Sequence, residues 1–102
     1  MDLDFENKVA LDIMQALLGT ISANVRGISF EHDNRRVIVH YLLAEDCAED
    51  REEADNMVTE FEALQLGPFD ISCQVHVSSK ILPYGVGSLK GRPVYSRKET
   101  NQ

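Results

Sequence analysis

The chain has no long apolar run, few thiols and, over most of its length, few cations. No stretch approaches the roughly 20 apolar residues of a membrane span, and the opening Met1-Asp2-Leu3-Asp4 is acidic where a secretory leader is basic and then apolar. Both absences exclude membrane insertion and point to the cytoplasm. Two cysteines, Cys47 and Cys73, are too few for a disulfide framework, so both are expected as reduced thiols. Residues 1–79 hold sixteen of the seventeen acids against five basic residues, while Lys80, Lys90, Arg92, Arg97 and Lys98 lie beyond them. The net charge of −7 therefore belongs to an acidic body with a basic tail. Such a body repels a phosphate backbone, which argues against direct nucleic-acid binding, and attracts a basic protein. Solubility alone is the competing explanation.

What is present fits one folded unit. With 102 residues, 43% hydrophobic and 26% charged, the composition is that of an ordinary globular domain over 1–102, with 1–3 and 99–102 expected to fray. From Asp4 to Ile21, Val9, Ala10, Ile13, Met14, Leu17, Leu18 and Ile21 recur at three- and four-residue steps and predict a helix. Two alternating segments follow, 25–32 and 35–43, joined by Asp33-Asn34 as a two-residue hairpin turn. Pairing His32 with Arg35 sets Phe30 beside Val37, Ile28 beside Val39 and Glu31 beside Arg36. A second helix runs from about Asp46, its expected cap, to Gln65, with Ala54, Met57, Val58, Phe61 and Leu64 inward and Gly67-Pro68 stopping it. Residues 70–78 alternate as a strand, 80–91 read as a glycine-rich loop, and 93–98 predict a short final edge strand. The expected fold is an α+β two-layer sandwich, α-β-β-α-β-(β), mainly antiparallel, with both helices on one sheet face and the other face meeting solvent.

Catalytic and metal chemistry find little support. Cys73 and His76 are three apart on a strand and point to opposite faces, so they do not form a metal site. His40 and His76 fall on the same outer sheet face and are the only pair from which a hydrolase could be built; exposed polar strand positions are the simpler account. Gly85-Val86-Gly87 does not open a helix, as a phosphate loop requires. Neither cysteine has a neighbour that would activate a thiolate. No cofactor and no metal are expected.

The second helix stands out. Between Glu45 and Glu62 there are nine acids and one basic residue, Arg51. With Ala54 and Phe61 turned inward, the wheel sends Glu49, Glu52, Glu53, Asn56 and Glu60 outward together as an anionic ridge. First-turn acids complement the helix dipole, which does not account for Glu60 or Glu62. Like charges at these spacings cost about 0.2–0.5 kcal/mol per pair, so the ridge suits a cationic partner; a solvated face is the alternative. Val25, Ile38 and Leu42 also share the outer sheet face with Ser29 and His40, and a homodimer through that patch is a rival interpretation.

Several runs resemble a known class of protein. Ile13-Met14-Gln15-Ala16-Leu17-Leu18-Gly19 with Ile21-Ser22, then Glu49-Asp50-Arg51-Glu52-Glu53, Thr59-Glu60-Phe61-Glu62-Ala63-Leu64, and Pro93-Val94-Tyr95 with Arg97, resemble small bacterial immunity proteins of contact-dependent growth inhibition and related polymorphic toxin systems. The resemblance implies a cytoplasmic protein, not an enzyme, that binds a cognate toxin C-terminal domain, often a basic nuclease, and blocks its active site or a neighbouring surface. Partner contacts are then expected from Glu49, Glu52, Glu53, Asn56 and Glu60, with Tyr41, Tyr84 and Tyr95 as candidate aromatic anchors. The alternatives are a self-associating adaptor and a small hydrolase using His40 and His76.

Overall fold

The computed structural model describes residues 3–19, 21–33, 36–65, 70–78 and 91–96. Helix α1 spans Leu3–Ala16, strands β1 and β2 Val25–Asp33 and Arg36–Leu43, helix α2 Ala48–Ala63, and strands β3 and β4 Asp70–Val77 and Arg92–Ser96. The four strands form one sheet in the order β3-β2-β1-β4. β1 pairs antiparallel with both β2 and β4, whereas β2 and β3 run parallel, as a strand–helix–strand crossover through α2 requires. The two-layer α+β expectation is borne out, including the final edge strand. Both helices lie on one sheet face and pack together, α1 towards β4 and α2 towards β3.

Between the layers sits a core built from Val9 and Ile13 of α1, Ala54, Met57 and Phe61 of α2, and the helix-facing residues of the central strands, Ile28, Phe30, Val37, Val39 and Leu43. On α1, however, the buried stripe is Val9, Ala10, Ile13 and Ala16, followed by Leu17, while Met14 and Leu18 are 45% and 70% exposed. At about 100° per residue, Leu18 falls well away from the stripe centred on Ile13. The helix also ends earlier than its apolar period suggests. Leu18 N–H already bonds back to the Gln15 carbonyl, a tighter turn, and Gly19 then takes a φ of +79° that only glycine adopts freely.

The hairpin register differs from expectation. Asp33 pairs with Arg36, so the connecting residues are 34 and 35; Phe30 faces Val39, Ile28 faces Tyr41, and Glu31 faces Ile38 rather than Arg36. The slip is by two residues, so every side chain keeps its face and the core is unaltered. Asp33 and Arg36 supply the opposed charges at the hairpin end, and Glu31 is left diagonal to His40. A bulge at Arg26 separates the Val25↔Leu43 and Gly27↔Leu42 pairs. It turns Val25 to the helix side, where it is buried in the core.

β4 is fitted closely against β1. Gly91, just before it, has a φ of +87°, and a Cβ there would lie 2.1 Å from the Phe30 carbonyl oxygen. No side chain fits that gap, so this loop glycine is a structural requirement of the edge strand.

Candidate partner-binding surface

Helix α2 starts one step later than its acids suggest. The cap is Cys47, with extended backbone and no side-chain cap bond. Asp46, the expected cap, lies outside the helix and accepts a 2.6 Å hydrogen bond from Arg51 Nε. The one cation among α2's residues is thereby engaged. Asp50 in the first turn points inward and is 6% exposed. Its carboxylate accepts from Ser22 Oγ and from Asn24 Nδ2, each at 2.8 Å. Asn24 in turn clasps the backbone of Glu45 through its side-chain amide, donating at 2.7 Å and accepting at 3.0 Å. Burial alone would push the Asp50 carboxyl up, but the hydrogen bonds from Asn24, Ser22 and Cys47 hold it below the usual carboxylate range. Asp50 is therefore a buried clasp between α2 and the segment before β1.

Of the residues expected on the ridge, Glu49, Glu52, Asn56 and Glu60 are exposed and Glu53 is half-buried. Glu45, Asp46, Asp55 and Glu62 are exposed as well. Tyr84 lies outside the described residues. Tyr41 is not an anchor: it is 3% exposed beneath the helices, and its hydroxyl has no hydrogen-bond partner among the described residues. Burial, then the nearby Cys73 and Glu53, push its ionisation far above the ordinary range. Burial and Asp55 likewise push the Cys73 thiol up to about 12, so Cys73 stays protonated and unreactive. Tyr95 is half-buried in an apolar groove of about 310 Å³ with Met14, Leu17, Leu18, Ile21 and Val94.

The sheet face away from the helices is exposed along its two edge strands and closed at its centre. Ser72, Gln74 and His76 of β3 and Pro93 and Ser96 of β4 are exposed, but Arg26, Ser29, His40 and Leu42 are buried. The contact patch expected from Val25, Ile38 and Leu42 is accordingly absent: Val25 is in the core, Leu42 is 4% exposed, and Ile38 is half-buried. His40 and His76 do come together, with Nδ1 of one 3.0 Å from Nε2 of the other. The third member, which the sequence did not single out, is Glu31, whose Oε2 lies 2.6 Å from His40 Nε2. Its signal is visible only once the register is known, because Glu31 and His76 are diagonal neighbours of His40 on flanking strands. Among the described residues no group of three or more metal-ligating side chains forms a metal site, and no helix is long and apolar enough to cross a membrane.

Residues 6–99 match the model of a family described as MafI2 immunity protein. No curated protein matches the chain.

Proposed function

Because the chain belongs to the MafI2 immunity protein family, we propose that it neutralises a cognate toxin domain, a basic nuclease, in the cytoplasm by setting the acidic outside of α2 against the toxin's cationic substrate cleft. An immunity protein acts by binding its toxin partner and not by catalysis, so the His40–His76 pair is assigned no reaction.

The observation that supports α2 is where its charges stand. Acids occupy both ends of the helix, and its last turn carries no basic residue. Glu49 in the first turn is favourable to the helix dipole, whereas Glu60 and Glu62 meet the negative end, each at a cost of a few tenths of a kcal/mol. Arg51 is held by Asp46 and offsets little of this. A cationic cleft would reverse the sign of these terms and speed encounter, to roughly 10⁸–10⁹ M⁻¹s⁻¹ at low salt. Asn56, among the acids, offers a neutral donor and acceptor that fixes orientation.

The test is the association rate with its cognate toxin domain, measured from low to high salt. The rate is expected to fall steeply with salt, and the Glu52→Gln, Glu60→Gln double variant to flatten that slope. An association rate indifferent to salt would exclude the α2 surface while leaving the family role intact.

A further inference from the structure

The two edges of the sheet are finished differently. β4 is only five residues long and is blunted: Pro93 has no N–H to offer, and the register breaks between the pairs made by Ile28 and Ser29. β3 carries none of these guards. Its eight residues pair with β2 in unbroken register from Asp70 to Val77, with no proline, no bulge and no lysine or arginine. It is also the last strand on its side of the sheet. A long, regular edge of this kind is a template for another strand.

One hydrogen bond fixes which backbone groups face outward. Ser78 N–H, just past the strand, donates to the Leu43 carbonyl of β2 at 2.9 Å. Backbone groups alternate sides along a strand, so Ser72 and Gln74 also turn theirs towards β2, while Ile71, Cys73, Val75 and Val77 turn theirs away from it. Among the described residues no strand pairs with this outer side. The side chains of the same residues lie on the helix side, half-buried at Ile71, Cys73 and Val75 and 44% exposed at Val77. α2 packs over them, with Glu53 near the Tyr41 hydroxyl and Asp55 near the Cys73 thiol. The helix side of the edge is therefore bordered by acids.

We propose that the outer edge of β3 takes up an extended, basic segment of the toxin as an added strand, hydrogen-bonded to the backbone of Ile71, Cys73 and Val75 and turning alternate side chains towards the acids of α2. The inference rests on the toxin-binding reading and adds to it how the toxin is held. Charge selects this occupant. A second copy of the chain, joined edge to edge about a two-fold axis, would set two α2 helices side by side on one sheet face, acid against acid, at a net charge of −7 apiece. A basic strand meets attraction at the same place. The main-chain bonds supply affinity, and the side chains that reach α2 supply the choice of partner.

Amide hydrogen exchange in the whole chain, free and bound to its cognate toxin domain, tests this residue by residue. In the free chain Ser72 and Gln74 are expected to be protected by β2 while Ile71, Cys73 and Val75 exchange fast. In the complex that alternation disappears, because the three outward amides slow by about tenfold or more. Val75→Pro removes one outward N–H and no bond to β2, so the variant is expected to fold and to shorten the lifetime of the complex by about tenfold or more. The exchange pattern of the native chain decides the matter even where that variant does not fold. A tight complex in which Ile71, Cys73 and Val75 exchange as in the free chain overturns strand addition and leaves the toxin-binding reading standing, whereas the absence of any complex overturns both. Slowing of the same amides in the free chain as its concentration rises would give the edge to a second copy and overturn the proposal.

Discussion

The two helices lie side by side on one sheet face and are dressed in opposite ways. Inside, both present the same kind of surface: Ile13 of α1 and Phe61 of α2 are fully buried in a shared core. Outside, α1 exposes Leu3, Leu11 and Met14, with Leu18 exposed just past its end, whereas α2 exposes Glu49, Glu52, Asp55, Glu60 and Glu62. The contrast teaches that burial decides stability for both, while the outer dressing is free to serve association. Scattered exposed leucines are common on soluble domains; a helix with acids at its negative end works slightly against itself.

Four substitutions sharpen or break that contrast. Phe61→Ala empties the largest buried position on α2 and is expected to cost about 3–5 kcal/mol in denaturant unfolding; a loss under about 1 kcal/mol would mean that the helices do not share a core. Asp50→Ala comes next, at about 2 kcal/mol, because it strands Ser22 Oγ and Asn24 Nδ2 in a partly buried site. Its effect should depend on pH. The folded carboxyl titrates below its unfolded value, so its stabilisation is fully present above about pH 4 and is lost as pH falls through the folded value. The gap between native and variant stability therefore narrows in acid, and a gap that widened there would contradict the clasp.

The third substitution separates binding from folding. Reversing Glu52, Glu60 and Glu62 together to lysine is expected to slow toxin association at low salt by about tenfold or more, while raising or leaving unchanged the stability of the free protein, as relief of like-charge repulsion and of the clash with the helix's negative end permits. Unfolding of the free variant would show that the acids are structural. Smallest of all, Leu11→Gln on the outside of α1 is expected to change stability by under about 0.5 kcal/mol, measured by thermal or denaturant melting. A large loss there would mean that the apolar outside of α1 is covered in the native protein.

Much of this was legible beforehand because it follows from periodicity. Alternation along 70–77 placed Ile71, Cys73 and Val75 towards the helices, and the step of three and four placed Ala54, Met57 and Phe61 inward; each depends only on local backbone geometry. Even the two-residue slip of the hairpin left these assignments standing, since a strand repeats every second residue. The outward positions of Glu49, Glu52, Asn56 and Glu60 were legible for the same reason, while Glu53 proves half-buried; the part played by Asp50 was not legible. From composition Asp50 is one more acid of the first turn; it becomes a clasp only because the chain before β1 brings Ser22 and Asn24 beneath it. The helix boundary at Cys47 was hidden too, since Asp46 has the chemistry of a cap and is diverted by Arg51.

The amino-acid sequence by itself determined the element order, the faces of the strands and helices and, through its family motifs, the role of an immunity protein. These are properties of short windows or of whole-chain similarity. Only the tertiary structure decided that β2 and β3 lie parallel, that a bulge at Arg26 carries Val25 into the core, that Gly91 must lack a side chain against Phe30, and that Glu31, His40 and His76 are hydrogen-bonded in one line. Those depend on contacts between residues far apart in the chain, whose register no local pattern encodes, because a strand repeats identically at every second step until a neighbour pins it.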